Sequence, residues 1–258
     1  MTTFRLVLLC ACGAAFLAFL AYPVPLADKL AAIPYGIDPQ RPSHTYIVGG
    51  VPLPLEARKT GMFGGFLLAS LFLLARGRRR AASFPPWPLM ALLVACFASL
   101  ACDGLNATFF DLGWPHLYTP SLQLRLATGL LAGLAMAAVL LPAVNGVLWR
   151  AADPAPSIAS GTDVLGTVIV LGAFFLLVDA RLPILYDAIA IVSIAGLVIE
   201  LALINVVLVL AVSRRMGAAT SLWDVVPIAA AGLCLTAAEL LFMSIIRYLV
   251  LGDITKSM

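Results

Sequence analysis

Long apolar runs, broken by short polar stretches, set the pattern of this chain. A helix that crosses a bilayer needs roughly 20 mostly apolar residues. Seven segments fit: Phe4 to Tyr22, Gly61 to Ala75 (extendable back through Arg58), Pro88 to Cys102, Leu124 to Leu148, Val164 to Val178, Ile184 to Val212 and Val225 to Leu251. The second, third and fifth are short and recruit flanking residues to span. The first has Arg5 ahead of its apolar run, as a secretory signal also does; it is counted here as a span. The pattern predicts an all-α polytopic membrane protein, a bundle of about seven transmembrane helices. It forms a single integral membrane domain over residues 1–258, with residues 23–60 a proline-rich extracytoplasmic loop within it.

Composition agrees. Hydrophobic residues make up 62% of the 258 and charged residues only 11%, where a soluble domain is about a quarter charged. The mean hydropathy is +1.05. A water-soluble fold and a disordered chain are both excluded. The net charge of +3, from 16 basic and 13 acidic residues, is too small for a nucleic-acid footprint, so no nucleic-acid partner is expected. The five cysteines (Cys10, Cys12, Cys96, Cys102, Cys234) lie in or beside apolar runs and read as packing residues rather than a disulfide framework.

Charge sets the expected orientation. Arg76, Arg78, Arg79 and Arg80 put four arginines in five residues after the second span. Arg150 follows the fourth span and Arg214-Arg215 the sixth. Short loops rich in Lys and Arg stay cytoplasmic. The N-terminus is therefore expected inside and the C-terminus outside. Trp87, Trp149 and Trp223 read as anchors at the cytoplasmic boundary. Outside lie the proline-rich loop, with a short helix expected over Val24 to Ile33 and a hairpin turning at Gly49-Gly50, then Asp103 to Arg125, then Asp179 to Asp187.

Three pieces of this outer side carry a resemblance: Leu53-Pro54-Leu55-Glu56-Ala57-Arg58-Lys59-Thr60-Gly61, Asp103-Gly104, and Ser121 to Gly129 with its Arg125, Thr128 and Gly129. In this order they resemble an uncharacterised bacterial membrane family, domain of unknown function number two thousand and eighty-five. The resemblance covers roughly Arg41 to Leu148. It implies a multi-pass protein of a bacterial inner membrane and lends a scaffold rather than a reaction. The family pattern is a proline followed by C-A-R-C-T-G, then Asp-Gly, then R-x-x-T-G. Here Glu56 and Lys59 stand where that pattern has its two cysteines, and an upstream Cys-His pair is absent near Ile37 to Ser43. Any metal or redox chemistry carried by those cysteines is lost to this chain.

Two groups of residues can carry chemistry. The first is extracytoplasmic: Glu56, Arg58 and Lys59 at the start of span two, Asp103 closing span three, and Arg125 opening span four. Buried charges are expensive unless paired, so Asp103 is expected to pair with Arg58 or Arg125. The group reads either as a clasp of three helix ends or as an anion or headgroup site, since a guanidinium fork suits phosphate and carboxylate. The second is intramembrane: Glu200 and Glu239 lie at similar depth on the hairpin of spans six and seven, with Asn205 and Ser244 nearby. They read as polar glue between helices or, if they face each other, as a proton or cation site. Arg247 reads as a snorkelling or pairing residue. Gly129 and Gly133 make a G-x-x-x-G suited to close helix packing.

No histidine or lysine lies within a span; His44 and His116 are in outer loops. Intramembrane bis-His haem and a retinal Schiff base are thereby excluded, and no cofactor or metal site is expected. H-E-x-x-H, G-x-S-x-G and P-loop motifs are missing. The favoured reading is a non-enzymatic membrane subunit that scaffolds or docks within a larger membrane complex, with a respiratory or photosynthetic assembly as a candidate host. Its expected partners are the lipid bilayer and other membrane protein subunits. One alternative is a small proton- or ion-coupled transporter using Glu200 and Glu239. The other is a membrane enzyme acting on a lipid or phosphate at the Arg58, Asp103 and Arg125 cluster.

Overall fold

A computed structural model of the chain describes residues 21–251, with 7, 13, 14 and 17–19 ahead of them. Most of the first expected span, Phe4 to Tyr22, lies outside the described residues, as do Cys10 and Cys12. The described helices are α1 (Leu26–Ala32), α2 (Ala57–Ala75), α3 (Trp87–Asp111), α4 (Leu122–Leu148), α5 (Gly161–Asp179), α6 (Tyr186–Val212) and α7 (Leu222–Leu251). All but α1 are long and apolar enough to cross a membrane, giving six such helices among the described residues. The chain is an all-α multi-pass membrane protein.

The centre of the bundle is α4, which packs on α2, α3, α5 and α6, while α7 leans on α6 at the edge. The main core joins Phe66, Leu73, Leu126, Leu130, Leu141 and Phe174. The α2–α4 contact is the closest, and glycine makes it so. A Cβ on Gly129 would fall on the Arg58 carbonyl oxygen, and one on Gly61 on the Leu126 carbonyl oxygen. Gly133 meets the Met62 carbonyl in the same way. Glycine removes the side chain where two backbones touch, so the G-x-x-x-G of α4 is spent on internal packing. The matched positions rise together along both helices, so α2 and α4 run parallel and begin at the same end.

Helix direction sorts the polar residues into two groups. Glu56, Arg58, Asp103 and Arg125 share one end, here the Arg58 end. The Arg76 to Arg80 run lies at the far end of α2, roughly 28 Å away at 1.5 Å per residue. At this Arg78 end Asp163 is wholly buried. It accepts from Arg76 Nε at 3.1 Å, Arg78 Nη2 at 3.0 Å and the Ala159 N–H at 3.1 Å. The arginine knot therefore clasps the start of α5 as well as marking a face.

Several expectations are corrected here. The third span does not close at Asp103, because α3 continues to Asp111; Asp103 and Asn106 on that stretch are buried against protein instead of ending the helix. Trp149 is no exposed anchor: it is 7% exposed, lies under the Arg80 guanidinium at 4.2 Å and donates to Asn145 Oδ1 at 3.2 Å. Trp87 and Trp223 are exposed. The loops at the Arg78 end also contain strands: β3 (Ala81–Ser83) pairs in parallel with β4 (Asp153–Pro156). In the proline-rich loop β1 (Ile47–Val48) pairs antiparallel with β2 (Val51–Pro52). Gly49 and Gly50 supply the positive-φ turn between them, where glycine has no steric penalty.

Candidate functional site

At the Arg58 end the proline-rich loop is tied down residue by residue. Asp38 is fully buried. Its carboxylate accepts from the Gln40 N–H at 2.8 Å and the Glu56 N–H at 3.1 Å, and Lys59 Nζ lies 3.6 Å away. Burial pushes the Asp38 carboxyl up from its ordinary value, opposed by Lys59 and the two backbone donors. Lys59 also donates to the Ile37 carbonyl at 2.6 Å. From α7, Arg247 reaches back to the carbonyls of Tyr35, Asp38 and Pro39 and lies 4.5 Å over the Tyr35 ring. Its role is to clamp the loop.

Glu56 precedes α2. Arg41 Nε donates to its Oε1 at 2.9 Å, and His44 Nδ1 lies 3.8 Å from the same oxygen. Burial pushes the Glu56 carboxyl up, and the Arg41 bonds outweigh this and hold it below the usual range. Arg41 and His44 also reach Asp111 at the end of α3, at 3.2 and 3.4 Å. His44 is buried, with Nδ1 lacking a hydrogen bond. Burial, then the charges of Arg125 and Arg41, lower its pKa from the ordinary 6.5. Glu56 and Lys59 thus each hold an ion pair to the loop.

Beside this, Asp103 is 1% exposed. It accepts from Arg58 Nη2 at 2.5 Å and from the Tyr118 hydroxyl at 3.0 Å. Asn106, one turn on, accepts from the Leu117 N–H at 2.8 Å and donates to the Tyr118 carbonyl at 2.9 Å. It folds the loop after α3 back onto the helix. Arg125 lies in the first turn of α4, which Ser121 caps by accepting from the Leu124 N–H. Arg125 is 6% exposed. Among the described residues its guanidinium makes no hydrogen bond and no ion pair; Arg58, Asp111, Asp103 and Arg41 act on it only at longer range. Those acids are already engaged, Asp103 by Arg58 and Asp111 by Arg41 and His44. Arg58 Nε is likewise buried without a partner. The parallel starts of α2 and α4 add the positive ends of two helix dipoles. Among the described residues Arg125 is thus the one basic side chain of this cluster without a hydrogen-bonded or ion-paired partner.

Inside the membrane the structure does not bring Glu200 and Glu239 together. Asn205 donates to Glu239 Oε2 at 2.7 Å and to Thr236 Oγ1 at 3.0 Å, forming a seam between α6 and α7. Glu200 lies five positions before Asn205, about 140° around the helix at 3.6 residues per turn. It looks away from α7 into a cavity against α3 and α4. Ser244 is not in that seam; it donates to the Leu240 carbonyl at 2.8 Å.

Sequence reasoning grouped Arg58, Asp103 and Arg125 but missed the share of Asp38, Arg41, His44, Asn106, Asp111 and Tyr118 in this cluster. Among the described residues no group of three His, Cys, Asp or Glu side chains is placed to hold a metal ion, and Cys96 and Cys102 form no disulfide.

Residues 39–139 match the family described as "Predicted membrane protein (DUF2085)". That segment contains Arg41, Glu56, Arg58, Asp103, Asp111 and Arg125, but not Glu200 or Glu239. No curated protein and no solved structure matches the chain.

Proposed function

We propose that the protein binds an oxyanion at the Arg58 end, on the extracytoplasmic side, taking a phosphate or carboxylate from a lipid headgroup or from solution. One observation carries this reading: Arg125 is buried beside the starts of two parallel helices with no counter-ion. An unpaired buried charge is expensive, and a guanidinium with free donors beside helix N-termini is what an anion requires. The role is binding rather than catalysis, since the acids of the cluster are engaged in ion pairs. Docking within a larger membrane complex is compatible with this site; co-purification of stoichiometric partners in mild detergent would support it, and isolation as a lone monomer would count against it. Coupled transport by a Glu200–Glu239 pair loses support, because the two acids look into different places.

Native mass spectrometry of the full chain from mixed-lipid bilayers tests the proposal. Wild type is expected to retain anionic phospholipid in preference to zwitterionic, and Arg125→Gln to lose the preference while Arg125→Lys keeps part of it. Added inorganic phosphate strips the lipid if the bare anion is what the site recognises. Equal retention by wild type and Arg125→Gln overturns the reading.

A further inference from the structure

A second site lies at the middle of the membrane-spanning bundle. Helices α3 and α6 each pack on α4 but make little contact with one another. The cleft between them holds a cavity of about 520 Å³ with α4 as its floor. Met90, Phe97, Met136, Val139 and Ile204 line it, and Glu200 is its one ionisable side chain. Val94 and Phe97 at its rim are exposed, so the cavity opens sideways, toward the lipid. Glu200 is 1% exposed. Its Oε2 is sealed from solvent without a hydrogen bond, and among the described residues neither carboxyl oxygen has a partner. A carboxyl left this way loses the full value of its hydrogen bonds.

Depth and lining restrict the missing partner. Glu200 stands roughly 20 Å from either end of α6 at 1.5 Å per residue. A phospholipid headgroup at the interface does not reach it. A cationic amine at that depth carries the cost of charge in hydrocarbon, so the fitting partner is neutral, with one donor on an apolar body dissolved in the membrane. The walls favour an aromatic body. Two methionine sulfurs and the Phe97 ring make favourable contacts with an aromatic ring, which an aliphatic chain does not exploit. The volume falls in the range of sites for small ligands.

We propose that this cleft binds a membrane-dissolved lipophilic phenol, a hydroquinone-type ring on an apolar tail, whose hydroxyl donates to the Glu200 carboxyl. The site is independent of Arg125, and its test does not depend on that reading.

The full chain in lipid nanodiscs is titrated with decylhydroquinone, and with 1-decanol as the aliphatic control bearing the same tail. Saturable binding of the phenol is expected, with decanol at least tenfold weaker. Glu200→Leu is expected to weaken phenol binding by about tenfold or more, the loss of one hydrogen bond to a carboxyl, and Val139→Trp to block it by filling the cavity. A photoreactive analogue on the wild-type chain, which needs no variant to fold, is expected to label α3, α4 or α6 within the cleft. Absence of saturable binding, unchanged affinity in Glu200→Leu, equal binding of decanol, or labelling outside the cleft overturns the proposal.

Discussion

Gly129 rests against the carbonyl oxygen of Arg58, with no space for a methyl group between them. This contact sets the helix starts of α2 and α4 side by side and so brings Arg58 and Arg125 to one place. Gly129→Leu must push the helices apart at the point of closest approach. Overpacking of this kind costs about 1–3 kcal/mol, partly offset by the better helix propensity of leucine. Thermal unfolding in mild detergent should show a lower Tm for Gly129→Leu than for wild type. An unchanged Tm would mean that the two helices are not in backbone contact.

At the opposite end, Asp163→Ala leaves Arg76 and Arg78 without their shared carboxylate and the Ala159 N–H without an acceptor. The arginine side chains keep partial access to water, at 48% and 23% exposed, so solvent screens part of the loss. A destabilisation of about 2 kcal/mol is expected from the lost charged hydrogen bonds, and Asp163→Asn should recover part of it. Denaturant titration of the purified chain measures both; equal stability of wild type and Asp163→Ala contradicts the clasp.

His44 gives a pH dependence with a definite sign. Its folded-state pKa lies below the ordinary 6.5 because of burial and because Arg125 and Arg41 face it, with Glu56 and Asp111 pulling the other way. The unfolded chain then binds the proton more readily than the folded one. His44 therefore contributes stability that is fully present above about pH 6.5 and is lost as pH falls below it toward the folded-state value. Between pH 7.5 and pH 5 the Tm of wild type should drop further than that of His44→Gln. Parallel melting curves for the two proteins would rule out a neutral buried His44.

The Asn205–Glu239 bond links α6 to α7 within the apolar region. Polar contacts between membrane helices average about 0.6 kcal/mol and reach about 1.7. A double-mutant cycle on Asn205→Leu and Glu239→Leu should return a favourable coupling in that range. A coupling of zero would show that the seam does not hold the two helices.

The spans were legible in the sequence because apolar length and charge-free runs are one-dimensional signals. Their ends were less so. Asp103 and Asn106 look like the end of a helix, yet they sit on its protein-facing side, where Arg58 and a returning loop satisfy them. The meeting of Arg58, Asp103 and Arg125 followed from alternation of helix direction alone. The share of Arg41, His44 and Asp38 in that cluster did not, because it depends on how the proline-rich loop folds across the bundle. Depth placed Glu200 and Glu239 together. Rotation about the helix axis, which packing decides, set them apart.

The anion proposed for Arg125 can be measured. Calorimetric titration of dihexanoyl phosphatidate into the full chain in neutral detergent, for wild type and Arg125→Gln, tests it most directly. Loss of a buried charged contact is worth about 2–5 kcal/mol, so Arg125→Gln should bind at least tenfold more weakly, with the pH and detergent held fixed. If both proteins bind this lipid with the same affinity, or neither binds it, Arg125 has no anion to hold and the proposed function fails.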